Sequence, residues 1–156
     1  MRIVIDTDVL LSGLRSPTGA SRMILTGVLE RSLTPLINTG ILLEYEAVLK
    51  RAENMAWTGL QLAEVDDLLD FWADCAEHVS RRSASRASVK DPNDAMFADA
   101  ALTGRADALV TFNIKDYARS DDPRHQLAVD VVRPGDFVRR LTWRPSSTSQ
   151  FVFRLR

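Results

Sequence analysis

Apolar residues in this chain form short unbroken runs alternating with stretches at helical spacing. Ile3-Val4-Ile5 is β-branched throughout and bounded by polar residues, the pattern of a strand buried on both faces inside a parallel sheet. Leu33–Ile37, Ala108–Thr111 and Val129–Val132 read as strands of the same kind, and His78-Val79 as a brief one. Between them Leu10–Leu14 begins a short helix that Ser16-Pro17-Thr18-Gly19 breaks. Ser21 is placed to cap a second helix, with Met23, Ile24, Leu25, Val28 and Leu29 on one face. Thr39 is placed to cap a third, running to Lys50 with Ile41, Leu42, Tyr45, Val48 and Leu49 as its stripe. Leu62–Cys75 repeats Leu62, Val65, Leu68, Leu69, Trp72 and Ala76 at spacings of three and four. Asp91-Pro92-Asn93-Asp94 is a helix start with acids where the dipole favours them; that helix runs from about Asn93 to Thr103 and stops at Gly104. Pro134–Leu141 is the last helix. Strands alternating with helices predict an α/β fold with a central, mainly parallel sheet flanked by helices. Trp57 and Trp72 are expected in the core.

Nothing in residues 1–141 divides them, so they are expected to form one domain, with 142–156 a C-terminal tail. In that tail Phe151, Phe153 and Leu155 alternate with Val152, Arg154 and Arg156, as an edge strand, a subunit contact or a frayed end would. A net charge of −1 over 156 residues gives no global attraction to nucleic acid, so such binding rests on local patches. Cys75 is the only cysteine, which excludes a disulfide framework and a cysteine-based zinc site. No apolar stretch approaches the ~20 residues of a membrane span. The first strand starts at residue 2, so no signal peptide is expected. A cytoplasmic protein is the expectation.

The chemistry is foreshadowed where the first strand ends. Asp6 and Asp8 follow an apolar run directly, and a strand's period of two would put them on one side. Ligands of open α/β sheets bind beyond the carboxyl ends of the strands. Glu44, Asp94 and Asp116 also follow predicted strands or open the helices after them, so the four acids are able to converge. Two carboxylates about 4 Å apart repel by about 4 kcal/mol at an effective dielectric of about 20. A cluster of this kind calls for protons or a cation, and oxygen ligands suit Mg²⁺ or Mn²⁺. The fitting chemistry is phosphoryl hydrolysis with a metal-activated water. Singly, each acid has a plainer role: Asp94 or Asp91 as a helix-start acid, Glu44 as a solvated helix residue, Asp116 as a turn former. The argument rests on the set.

The segments carrying these acids resemble the PIN-domain nucleases, and among them the VapC-like toxins of bacterial toxin–antitoxin pairs. The resemblance lies in Ile5-Asp6-Thr7-Asp8-Val9-Leu10-Leu11-Ser12-Gly13, Leu42-Leu43-Glu44-Tyr45-Glu46-Ala47-Val48-Leu49, Asp91–Leu102 and Thr111–Asp116, closing with Val132–Val138, in order over residues 1–141. It implies a three-layer Rossmann-like PIN domain with the first strand central. It also implies Mg²⁺ or Mn²⁺ held by Asp6, Asp94 and Asp116, with Glu44 a ligand or the group orienting water. Endonucleolytic cleavage of RNA follows from it, as do a homodimer and a cognate antitoxin. Thr7 and Thr111 match hydroxyl positions near the site, able to hold a carboxylate or water. Asn113 stands where some relatives carry another acid, and Asp8 where many carry asparagine. Asp91 is a candidate outer acid.

For the RNA, Arg81, Arg82, Arg86 and Lys90 lie in a basic, serine-rich stretch leading into Asp94, read as an exposed loop able to contact phosphates. Arg15, Arg22, Lys115 and Arg119 flank the motifs. Two rivals stand beside this reading. Asp6-Thr7-Asp8, Thr111, Lys115 and Asp121-Asp122 resemble a HAD-like phosphatase, but Asp121-Asp122 follows no apolar strand, and Glu44 and Asp94 are left without a role. A non-catalytic RNA- or protein-binding module would keep the fold, yet gains nothing from gathering acids against phosphate. His78 and His125 form no arrangement for metal-free acid–base cleavage.

Overall fold

The computed structural model describes residues 1–80, 92–117 and 129–142. Five parallel strands, β1 (Arg2–Ile5), β2 (Thr34–Ile37), β3 (Glu77–His78), β4 (Ala108–Val110) and β5 (Asp130–Val132), form one sheet in the order β3-β2-β1-β4-β5. The first strand is therefore central, as its two-faced burial requires: Ile3, Val4 and Ile5 are all buried. The helices among the described residues are α1 (Thr7–Arg15), α2 (Ala20–Leu29), α3 (Thr39–Leu49), α4 (Ala52–Thr58), α5 (Leu62–Cys75), α6 (Pro92–Thr103), α7 (Ile114–Tyr117) and α8 (Pro134–Arg140). This is the three-layer α/β architecture the pattern predicts. None of the helices is long and apolar enough to cross a membrane.

The core joins the strands to the inward stripes of the helices: Ile24, Leu25 and Val28 from α2, Ile41, Tyr45 and Val48 from α3, and Val65, Leu68 and Trp72 from α5. Tyr45 meets the Trp72 ring edge-on, with centroids 6.1 Å apart. Two helix starts differ from expectation. The cap of α2 is Gly19 at φ 101°, a backbone angle open to glycine at little steric penalty, and Ser21 lies buried inside the helix. The cap of α3 is Asn38, whose side chain accepts the Ile41 N–H and donates to the Met96 carbonyl; Thr39 is the first helical residue. Two apolar residues also stand apart from the core. Leu62, at the start of its stripe, is 55% exposed, and Trp57 on α4 is 50% exposed. Helix α4 buries none of its residues, and the Arg15 guanidinium lies 4.0 Å from the Trp57 ring centroid. The proposed basic loop Arg81–Lys90, with Asp91, and the tail beyond 142 lie outside the described residues, as do Arg119, Asp121, Asp122 and His125.

Candidate active site

The strand order changes direction at β1. The chain leaves it for β2 on one side, while β4 pairs with it on the other. Open α/β sheets bind ligands in the crevice at such a switch point. Asp6 and Thr111 are the first residues beyond the two strand ends that meet there. The ladder runs up to them: the Asp6 N–H donates to the Val110 carbonyl, and the Thr111 N–H to the Val132 carbonyl.

Asp6 is the N-cap residue of α1, but its side chain makes no capping bond. The Thr111 hydroxyl instead donates to Asp6 Oδ2 at 2.5 Å, and is itself oriented by the Asn113 backbone N–H at 2.9 Å. Asn113 thus acts through its main chain; its side chain is exposed. Asp6 is 8% exposed, and burial is the main reason its carboxyl titrates above the ordinary range. The Thr111 hydroxyl and the Thr7 backbone N–H pull it down, while Asp8 and Asp116 push it up. Since the strand ends at Ile5 and the helix starts at Thr7, the period of two does not govern Asp8. It is exposed in the first turn of α1, acting on Asp6 through its field. The Thr7 hydroxyl is buried and has no hydrogen-bond partner among the described residues.

Asp94 lies in the first turn of α6 and Asp116 in α7, both partly buried. They come together around a residue not singled out from the sequence. Tyr117 is 2% exposed, and its hydroxyl reaches Asp94 Oδ1 at 3.5 Å. Its phenol is held well above the ordinary range, first by burial and then by the charges of Asp6, Asp94 and Asp116. One buried ring thus has three of the predicted acids about it. Tyr45 supports the same corner from below, donating its hydroxyl to the Ile5 carbonyl, immediately before Asp6. In the sequence Tyr45 is one apolar position of a helical stripe; the polar tip of a tyrosine within such a stripe was the available signal. Glu44, in the second turn of α3, is partly buried and makes no hydrogen bond or ion pair with a described residue. It is not among the charges acting on Asp6. Lys115 is exposed on α7.

These residues fit a hard divalent cation in their donor chemistry. The donors are oxygens, and the most buried carboxylate is held toward its protonated form by burial and like charge, a condition that a cation relieves. Among the described residues, no three His, Cys, Asp or Glu side chains stand close enough to enclose an ion as they are.

A family model described as the PIN domain matches residues 2–115. Among solved structures, the chain is similar to one chain of the crystal structure of VapBC2 from Rickettsia felis bound to a DNA fragment from their promoter. The two align with a TM-score of 0.55 and 15% identity, over 85% of this chain and 98% of that one. At that identity the likeness shows a shared fold. No curated protein matches.

Proposed function

Given that this chain belongs to the PIN-domain family, we propose that it is a metal-dependent endoribonuclease, hydrolysing internal RNA phosphodiester bonds as the toxin of a toxin–antitoxin pair. The observation carrying this reading is the buried Asp6 at the switch point, hydrogen-bonded to Thr111 and sharing the Tyr117 corner with Asp94 and Asp116. Family membership also sets aside the HAD-like phosphatase resemblance. The structural neighbour comes from a VapBC complex, which supports a cognate antitoxin as partner of this chain. A homodimer and a cytoplasmic setting are parts of the same proposal.

In this mechanism Asp6, Asp94 and Asp116 would hold Mg²⁺ or Mn²⁺, which would supply a water made nucleophilic near neutral pH and a counter-charge for the phosphate. Thr111, fixed by the Asn113 N–H, holds Oδ2 of Asp6 and so restrains the carboxylate that would bind the cation. Tyr117 keeps Asp94 on the same side and excludes water beneath the acids. Glu44 assists by swinging in from α3 to orient the attacking water. Lys115, with Arg81, Arg82, Arg86 and Lys90, contacts flanking phosphates, and Asp91 serves as an outer acid.

The test is cleavage of an end-labelled RNA pool by wild type and Asp6→Asn in Mg²⁺, Mn²⁺ and excess chelator. Internal cuts that need metal and vanish in the variant are expected. No cleavage in either metal, with RNA binding retained, would replace the nuclease by a non-catalytic binding module.

A further inference from the structure

On the same edge of the sheet as the acids, at the carboxyl ends of β2 and β3, lies a cleft of about 590 Å³ that the reaction as described does not use. Its lining includes Asn38, 9% exposed, whose amide bridges α3 and the Met96 carbonyl. That bond locks together the starts of α3 and α6, the two helices that carry Glu44 and Asp94. Gly40 makes the fit possible, because a β-carbon there would stand 3.2 Å from the Asn38 Oδ1 and 3.4 Å from the Met96 sulfur. Val79, Ala95 and Met96 supply apolar wall, whereas Thr39, His78 and Ser80 bring hydroxyls and an imidazole to the rim. No described lysine or arginine lines it.

We infer that this cleft, on the sheet edge that carries the carboxylates, receives one unpaired nucleobase of the RNA substrate, next to the scissile phosphate. The inference rests on the ribonuclease reading and adds to it a source of substrate selection. Carboxylates repel the phosphates they must approach, so substrate binding at this edge gains from groups that do not depend on charge. A base offers apolar faces for Met96 and Val79 and a hydrogen-bonding edge for Thr39, His78 and Ser80. Proteins that read single-stranded RNA take splayed bases by packing their faces and bonding their edges; here Met96 and Val79 stand in place of the usual aromatic or guanidinium platform. The volume lies within the range of small-molecule pockets, roughly 300–1,000 Å³, and holds one nucleoside rather than a helix. Ala95 and Met96 directly follow Asp94 on α6, so the cleft and that acid share one helix start.

The experiment uses one cleavable RNA and a series of copies, each with a single abasic nucleotide, cut by wild type and by Thr39→Trp in Mn²⁺. Thr39 is exposed, so its indole fills the cleft mouth without entering the core. For wild type, one abasic position beside the cut should lower kcat/KM by about tenfold, the effect of losing one packed base. In Thr39→Trp the intact RNA should fall to the rate of that abasic copy, and the difference between them should vanish. If no abasic position matters by more than about twofold, or if the dependence survives in Thr39→Trp, the base site is overturned. If neither protein cuts any RNA, the nuclease reading fails instead. Equilibrium binding of the same series then decides the cleft: base-dependent binding lost in Thr39→Trp supports it, and uniform binding overturns it.

Discussion

Asp6 binds its proton more tightly in the folded chain than in the unfolded one, because burial, Asp8 and Asp116 all oppose its charge. The sign follows from linkage. Between the ordinary carboxyl value and the raised one, the folded state holds more protons, so stability from this group is full at low pH and lost as pH rises through the raised value. Asp6→Asn removes that loss while its amide oxygen still accepts from Thr111. Thermal melts in chelator should therefore show the variant more stable than wild type at pH 7, with the gap closing toward pH 4. A variant less stable at pH 7 would mean that Asp6 is held for folding. Thr111→Val has the opposite sign. It strips the donor from a buried carboxylate and should destabilise the metal-free protein by about 1–3 kcal/mol, read by urea denaturation. Asp94→Asn retains an acceptor for Tyr117 and an acceptable helix-start residue, so cleavage should vanish with metal-free stability unchanged or raised. A marked drop in its melting temperature would assign Asp94 to helix capping. Of these residues, Asp6, Asp94 and Asp116 were legible as acids following strands. Tyr117 and Tyr45 were not: Tyr45 sits in an apolar stripe and reads as core, and Tyr117 follows Asp116 in a polar segment with no periodicity to mark it as buried.

Periodicity located the helices and strands because each needs one face, or both, in the core, and that requirement is written in residue order. It places α5 at Leu62–Cys75, the same bounds as observed, and finds β1, β2 and β4. Helix starts were less legible, since Gly19 and Ser21, or Asn38 and Thr39, are all acceptable cap residues at neighbouring positions. The choice between them falls to tertiary partners: Asn38 is selected by its bond to Met96, 58 residues away. Helix α4 went unseen because it buries nothing and so has no stripe, and Trp57 is covered by Arg15 rather than by the core. The contact of α1 with α2 yields a further expectation. A β-carbon on Gly13 would lie 2.6 Å from Leu25 Cδ1 and 2.9 Å from the Ser21 carbonyl. Gly13→Ala, favourable by helix propensity alone, should instead destabilise by about 1–3 kcal/mol, because the backbone of α2 must shift. Chemical denaturation measures it, and a stabilised variant would show that the two helices have room.

For the whole molecule, the strand order β3-β2-β1-β4-β5 puts the ends of β1 and β4 side by side, and with them two residues 105 positions apart in sequence, Asp6 and Thr111. In the proposed site a cation offsets the repulsion among the acids at this corner. Adding Mn²⁺ at about a hundredfold excess over its Kd should therefore stabilise the wild type by about 2.7 kcal/mol. Asp6→Asn should show little of that gain. Equal stabilisation of both by Mn²⁺ would place the ion away from Asp6.

Residue order by itself determined the fold class, the central strand and the acids at strand ends, because burial dictates spacing and a charge beside a buried run stands out locally. Only the tertiary structure decided which of those acids meet. It set Asp6 against Thr111 and placed Asp94 and Asp116 about Tyr117, while Asp8 remained exposed and Glu44 without a partner among the described residues. The reason is geometric: convergence depends on strand order and on how far each helix turns before its acid appears, and neither is encoded in local spacing.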